Sequence, residues 1–236
     1  MAGTFRLNVN QTRKGTRIEW ADGTRRSRKI GVETLFVGCH DVASKRWRDL
    51  VQPEYRNQYA DAYIEDVKKH YGELTPSAAN RLMGRQGLVM AKPPRRITDY
   101  HGLSAVAKQV YGETLPSIRL WMHWKAASGR RYVIGGVPDG VAPDYCYEFK
   151  TVTGSKDRVR ENLRIARRQG QLYAHIFERP KVRVQIARFA LPGGRFPFSA
   201  TDLPPTAESK VVEDQANPQQ VASILAEMDA RLGAGV

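Results

Sequence analysis

The stretch GGVPDGVAPDYCYEFKTV, residues 135–152, puts Asp139 at the end of one apolar run and Glu148 and Lys150 inside the next. Strand interiors rarely bury such side chains unless they are paired or hold a metal. Side chains alternate between the faces of a strand, so Cys146, Glu148 and Lys150 share one face of YCYEFK and Tyr147 and Phe149 share the other, packing into a core. A twisted hairpin between the two runs brings Asp139 close to Glu148. Two neighbouring carboxylates repel unless something cationic lies between them. A salt bridge at the strand end is one answer. A divalent metal is the other, since Mg²⁺ prefers oxygen ligands, keeps several waters and commonly binds through one or two carboxylates plus substrate phosphate. Asp139 and Glu148 would then be the metal ligands. Lys150 would orient or help deprotonate the attacking water, or offset phosphate charge. Mn²⁺ suits the same donors.

The segment KDRVRENLRIARRQGQLYAHIF reads as a long helix, with Gln169 and Tyr173 one turn apart on one face. Taken alone, that pair is an ordinary amphipathic spacing, with Ile165, Leu172 and Ile176 as the core stripe. Pro138-Asp139 followed on the next strand by Glu148-Phe149-Lys150 resembles the signature of the PD-(D/E)XK nuclease superfamily. Gln169-x-x-x-Tyr173 on the following helix resembles the extra motif of its RecB-like branch, which includes the CRISPR-associated exonucleases and the nuclease domains of helicase-nucleases. The resemblance covers roughly residues 115–190. It implies that Asp139 and Glu148 bind metal, that Lys150 serves the hydrolytic water, and that Gln169 and Tyr173 lie beside the site towards nucleic-acid phosphate. It further implies a metal-dependent deoxyribonuclease acting in recombination, repair or replication, an exonuclease rather than an endonuclease because this motif is commonest in end-processing members. Some free-standing relatives form rings, so a homo-oligomer or a recombination partner protein is compatible with it.

The pattern departs from the branch in places. Asp144 also follows a proline, but it stands too close to Glu148 for a turn and a returning strand, so it reads as a turn residue and a fallback ligand. An upstream helix of the branch often carries a His or Glu near the metal. His40, Glu65, His70 and Glu73 are available, none in a convincing motif, and Met90 follows Arg85-x-Gly87 where a His is expected. Cys39-His40 faintly resembles the first cysteine segment of iron–sulfur members. Two cysteines, Cys39 and Cys146, cannot supply the four thiolates of a cluster, so no iron–sulfur cluster is expected. Arg160, Arg164 and Arg167 fall roughly opposite Gln169, as a solvated face does, while Arg168 lies nearer to it. Arg168 and Arg164 are the DNA-binding candidates of this helix. Trp121 and Trp124 read as core and sheet-face aromatics rather than base-stacking platforms.

Composition points the same way. The chain carries 38 Lys and Arg against 24 Asp and Glu, a net charge of +14, which makes a polyanion such as DNA the natural partner. No apolar run is long enough to span a membrane, and the first residues, MAGTFRLNVNQTRKGTR, lack the apolar stretch of a signal peptide. A cytoplasmic protein with two reduced thiols is expected, with nucleoid-associated activity compatible.

The elements that must position these residues follow from periodicity. RLNVN and a TRIEW-ADG-TRRSRK hairpin, with Asp22-Gly23 in its turn, form a β arm dense in Arg13, Lys14, Arg17, Arg25, Arg26, Arg28 and Lys29. This arm reads equally as a charge-protected edge ribbon and as a contact to nucleic-acid backbone. TLFVGCHDVASKRWRDL, PEYRNQYADAYIEDVKKHYG, a segment from Thr75-Pro76 and GLSAVAKQVYG read as helices. SIRLWMHWKAA, RRYVIGGVPDGV and YCYEFKTV read as an antiparallel meander, RVQIARFAL as a further strand, residues 192–215 as irregular, and NPQQVASILAEMDARLG as a closing helix. The expected fold class is α/β: a restriction-endonuclease-like core with a mixed central sheet flanked by helices, a helical N-terminal half and a basic β arm. The expected division is residues 1–112 packed on a nuclease core of residues 113–236.

Three rival readings stay open on these residues. One is a structure- or sequence-specific endonuclease on the same core, with the helical first half as its recognition module. Another is a catalytically inactive nucleic-acid-binding protein. The last is a basic structural or interaction protein whose hairpin carboxylates pair with local arginines.

Overall fold

The computed structural model describes residues 7–12, 15–20, 25–26, 34–69, 75–85, 96–189, 198–199 and 206–234. In chain order the elements are β1 (Leu7–Thr12), β2 (Gly15–Trp20), β3 (Arg25–Arg26), β4 (Thr34–Gly38), α1 (Cys39–Ser44), α2 (Trp47–Leu50), α3 (Pro53–Lys69), α4 (Pro76–Arg85), β5 (Arg96–Ile97), α5 (Tyr100–Tyr111), β6 (Leu120–Lys125), β7 (Arg131–Gly136), β8 (Gly140–Val141), β9 (Tyr145–Thr153), α6 (Lys156–Ile176), β10 (Lys181–Phe189), β11 (Phe198–Ser199), β12 (Thr206–Gln215) and α7 (Pro218–Gly233). They form mixed sheets flanked by helices, an α/β architecture of the kind expected of a restriction-endonuclease-like core.

The chain gathers into two compact units. The first comprises residues 1–81, 119–137 and 218–236, and the second residues 82–118 and 138–217. In the first, β1, β2 and β3 form an antiparallel ribbon. Asp22-Gly23, Arg13, Lys14, Arg28 and Lys29 lie outside the described residues, as do the side chains of Arg17, Arg25 and Arg26. The second sheet of this unit has β4 parallel to β7 and β6 antiparallel to β7. Its β4 corrects an expectation, because TLFVG begins a segment read as one helix and is instead a strand followed by the short helices α1 and α2. Every residue of β4 is buried, so no alternation marks it and only its β-branched and aromatic content argues for a strand. α3 packs on this sheet, with Ala60, Tyr63 and Val67 against Phe36, Trp121 and Val133. Trp121 donates to Asp66 at 2.9 Å and Trp124 stacks near Tyr132, placing both tryptophans in packing roles.

The sheet of the second unit runs β12-β10-β9-β8. β9 and β10 are parallel and joined by α6, a strand–helix–strand crossover, while β8 and β12 are antiparallel to their neighbours. Even-numbered residues of β9 and β10 face α6: Val152, Val182, Val184 and Ile186 pack with Val159, Ala166 and Ala174. Odd-numbered residues face α5: Tyr147, Phe149, Ala187 and Phe189 pack with Ala107. Gly170 permits the close approach of α6, since a Cβ there would collide with Val182.

β12 is the second correction. The Pro- and Gly-rich tract before it led residues 192–215 to be read as irregular, yet TAESKVVEDQ pairs with β10 along its length. It is an edge strand whose Glu208, Lys210, Glu213 and Asp214 suit a solvent-facing edge, which is why it carries little apolar signal. Cys39 and Cys146 are buried and in no disulfide. Among the described residues no helix is long and apolar enough to cross a membrane.

Candidate active site

Asp139 sits in a bend between β7 and β8, just after Pro138. Pro138 has no N–H to give a ladder, so pairing breaks here. Its carbonyl is fixed by the hydroxyl of Ser117 at 2.5 Å. The β8–β9 register pairs Gly140 with Tyr147 and Val141 with Cys146, so its continuation sets Asp139 opposite Glu148. The ladder itself does not continue. Instead the Phe149 N–H donates to Asp139 Oδ2 at 2.8 Å, a side chain taking the place of a strand carbonyl. Gly140 is required next to it, because a Cβ would lie 2.5 Å from Leu115 Cβ.

Glu148 and Lys150 are separated by two on β9 and share its α6-facing side, where Lys150 Nζ lies 2.5 Å from Glu148 Oε1. Glu148 is 2 % exposed, and its other oxygen, Oε2, is buried with no hydrogen-bond partner. An ionised carboxylate oxygen in that position is costly unless a cation or a proton satisfies it. Burial accordingly pushes the Glu148 carboxyl up to about 7, outweighing the pull of Lys150 in the other direction, and Asp139 raises it further. Lys150 loses to burial but gains more from Glu148, so its ammonium is held above the ordinary lysine value.

A second lysine belongs to the site. Lys108, in the last turn of α5, places Nζ 2.6 Å from Asp139 Oδ1. α5 is fixed at its start by Asp99, whose side chain accepts from the Gly102 N–H at 2.8 Å, and by Tyr100, whose hydroxyl donates to the Thr151 carbonyl on β9. Tyr100, Ser104 and Lys108 recur every four residues, so they form one stripe of the helix. Sequence reasoning missed Lys108 because GLSAVAKQVYG scans as a plain amphipathic helix. The only available signal was that a lysine interrupts its half-buried side.

Gln169 and Tyr173 are buried on α6 and bonded to each other, Gln169 Nε2 donating to Tyr173 Oη at 3.0 Å. Arg168 is part-buried beside them, whereas Arg164 is exposed. Arg167 is committed to Asp214 through two bonds of 2.6 Å, and Arg160 to Asp157 at 3.2 Å. Asp144 lies in the hairpin turn and pairs with Lys181 at 3.2 Å. His40 and Glu65 are exposed residues of the first unit, and His70, Glu73, Gly87 and Met90 lie outside the described residues. Among the described residues no three His, Cys, Asp or Glu side chains cluster as a metal cage. The hairpin therefore offers two carboxylates, which is the number Mg²⁺ commonly takes from protein when phosphate and water complete its shell.

Several solved structures resemble the chain, two of them as follows. The crystal structure of SSO0001 aligns with a TM-score of 0.39 and 15 % identity, covering 89 % of this chain and 80 % of that one. An alkaline exonuclease, LHK-Exo from Laribacter hongkongensis, aligns with a TM-score of 0.33 and 14 % identity, covering 84 % of this chain and 89 % of that one. No protein-family model and no curated protein matches the chain.

Proposed function

We propose that the protein is a metal-dependent DNA nuclease, acting as an exonuclease in recombination, repair or replication. The observation that carries this reading is Glu148 Oε2. It is a buried carboxylate oxygen without a donor, on a side chain set opposite Asp139 by the strand register. The donor set suits Mg²⁺ or Mn²⁺, with Asp139 and Glu148 as ligands. When bound, such an ion supplies charge to stabilise the transition state and lowers the pKa of water.

The chain's own residues do the rest. The Phe149 amide fixes the Asp139 carboxylate in orientation. Lys150 is held as an ammonium by Glu148, so it serves as a donor to the attacking water or to a phosphate oxygen rather than as the base. In hydrolysis the water oxygen bonds to phosphorus, the bond from phosphorus to the leaving sugar oxygen breaks, one water proton departs and the leaving oxygen acquires one. Gln169 and Tyr173, a mutually bonded pair on α6, would be the residues that contact phosphate. Arg168 and Arg164 on α6 add positive charge for the nucleic-acid backbone.

End-labelled linear DNA and covalently closed circular DNA, each incubated with Mg²⁺, Mn²⁺ or EDTA, test this with wild type and Glu148→Ala. Metal-dependent loss of linear DNA alone, abolished in the variant, supports the exonuclease. Cutting of the circle replaces it with the endonuclease. No cutting in either metal, or equal cutting by the variant, overturns the reading and leaves the basic surface to serve binding.

A further inference from the structure

The site holds a second cation beside Lys150, and its placement has a consequence for how metal could enter. Asp139 Oδ1 is occupied by Lys108 Nζ at 2.6 Å and Oδ2 by the Phe149 N–H at 2.8 Å. Glu148 Oε1 is occupied by Lys150 Nζ, and only Oε2 is without a donor. Two carboxyl groups face two ammoniums, so the cluster needs no further positive charge as it stands. A divalent cation held by both carboxylates would leave a surplus of two positive charges and would meet the Lys108 ammonium 2.6 Å from Asp139 Oδ1.

The two lysines are not equivalent. Lys150 is enclosed on β9, its side chain 20 % exposed, whereas Lys108 is 35 % exposed, on a flexible four-carbon stem at a helix end. A partly exposed ion pair is a weak brace, so Lys108 can leave Asp139 at little cost. An arriving phosphodiester supplies both a new partner for the ammonium and the negative charge that a metal-loaded cluster lacks.

Resting on the metal-nuclease reading above, we infer that Lys108 is a positioning residue that gates metal entry. Without nucleic acid its ammonium holds Asp139 Oδ1. A backbone phosphate draws it off, and Asp139 is released to the divalent cation. Metal and nucleic acid then strengthen each other's binding by the same factor.

Mn²⁺ titrations by calorimetry without DNA, and binding of a fluorescein-labelled single-stranded oligodeoxynucleotide in EDTA, test the gate with wild type, Lys108→Met, Lys108→Arg and Glu148→Gln. Methionine keeps the length and helical preference of the side chain. Lys108→Met should bind Mn²⁺ about tenfold more tightly than wild type, the low end of ordinary site-to-site coupling. Lys108→Arg should match wild type, and Glu148→Gln should bind none. In EDTA, Lys108→Met should reduce the slope of log affinity against log salt by about 0.7, the loss of one phosphate contact on a single strand. Glu148-dependent Mn²⁺ binding that Lys108→Met does not tighten, or an unchanged salt slope, overturns the gate and leaves the nuclease reading intact. Absence of Mn²⁺ binding in all four proteins, with no DNA cut, overturns both.

Discussion

The Asp139 carboxylate accepts the main-chain N–H of Phe149 at 2.8 Å, where the β8–β9 ladder stops. One side chain thus does a strand's hydrogen bonding and also presents the first carboxylate of the site. Asp139→Ala should lower stability by about 1–3 kcal/mol, the cost of an orphaned donor, as read by urea denaturation. Asp139→Asn keeps an acceptor for Phe149 and should recover most of that loss. Both variants should lose metal-dependent cleavage, and recovery of cleavage in Asn would remove Asp139 from the ligand set.

Glu148 gives a pH signature. Its carboxyl is raised from 4.5 to about 7, with burial the largest cause. The folded protein therefore retains a proton that the unfolded chain releases across that interval. The stability this contributes is full below about pH 4.5 and is lost as pH rises through about 7, by up to about 3 kcal/mol. Comparing denaturant midpoints at about pH 5 and about pH 8 should show this loss in wild type and not in Glu148→Gln. Added Mg²⁺ should raise wild-type stability at the higher pH by mass action, more so in Lys108→Met, and leave Glu148→Gln unmoved.

Gly140→Ala removes no functional group, yet it should impair the site. The new Cβ would stand 2.5 Å from Leu115 Cβ and 3.0 Å from its Cδ1. Overpacking of this kind costs about 1–3 kcal/mol, and the relief most readily available is a shift of the bend carrying Asp139. Thermal denaturation and cleavage rates measured together should both fall, and unchanged cleavage at reduced stability would show that the bend does not yield.

Tyr173→Phe deletes one hydroxyl bonded to Gln169. Loss of a single hydrogen bond costs about 0.5–1.5 kcal/mol, so the variant should fold. If the pair orients phosphate, DNA affinity in EDTA should fall as well, because Gln169 loses its bond to the Tyr173 hydroxyl. Equal affinity with reduced stability would return the pair to a packing role.

Arg164 and Arg167 make a controlled contrast on one helix. Arg167 is tied to Asp214, while Arg164 is exposed. Arg164→Gln should reduce the salt slope of duplex binding by about 0.9 with no change in melting temperature. Arg167→Gln should do the reverse, lowering stability slightly and leaving the slope in place.

What the sequence made legible was local. Strand alternation was enough to put Glu148 and Lys150 on one side of β9 and Tyr147 and Phe149 in the core, and helical periodicity put Gln169 and Tyr173 on one face of α6. Lys108 was hidden because its role depends on a contact 31 residues away, between a helix end and a bend. No periodicity encodes such a meeting. β4 was hidden by burial on both faces and β12 by charge on an edge, the two situations in which a strand loses its alternating pattern.

The parallel pairing of β9 with β10 also governs the order in which the site can be assembled during synthesis. Glu148 and Lys150 on β9 are translated before β10, the strand that makes β9 an interior strand. Without β10 both residues would stand on an open sheet edge in contact with water. A fragment stopped before residue 181 would therefore carry the whole sequence signature while leaving Glu148 outside the buried setting that raises its carboxyl.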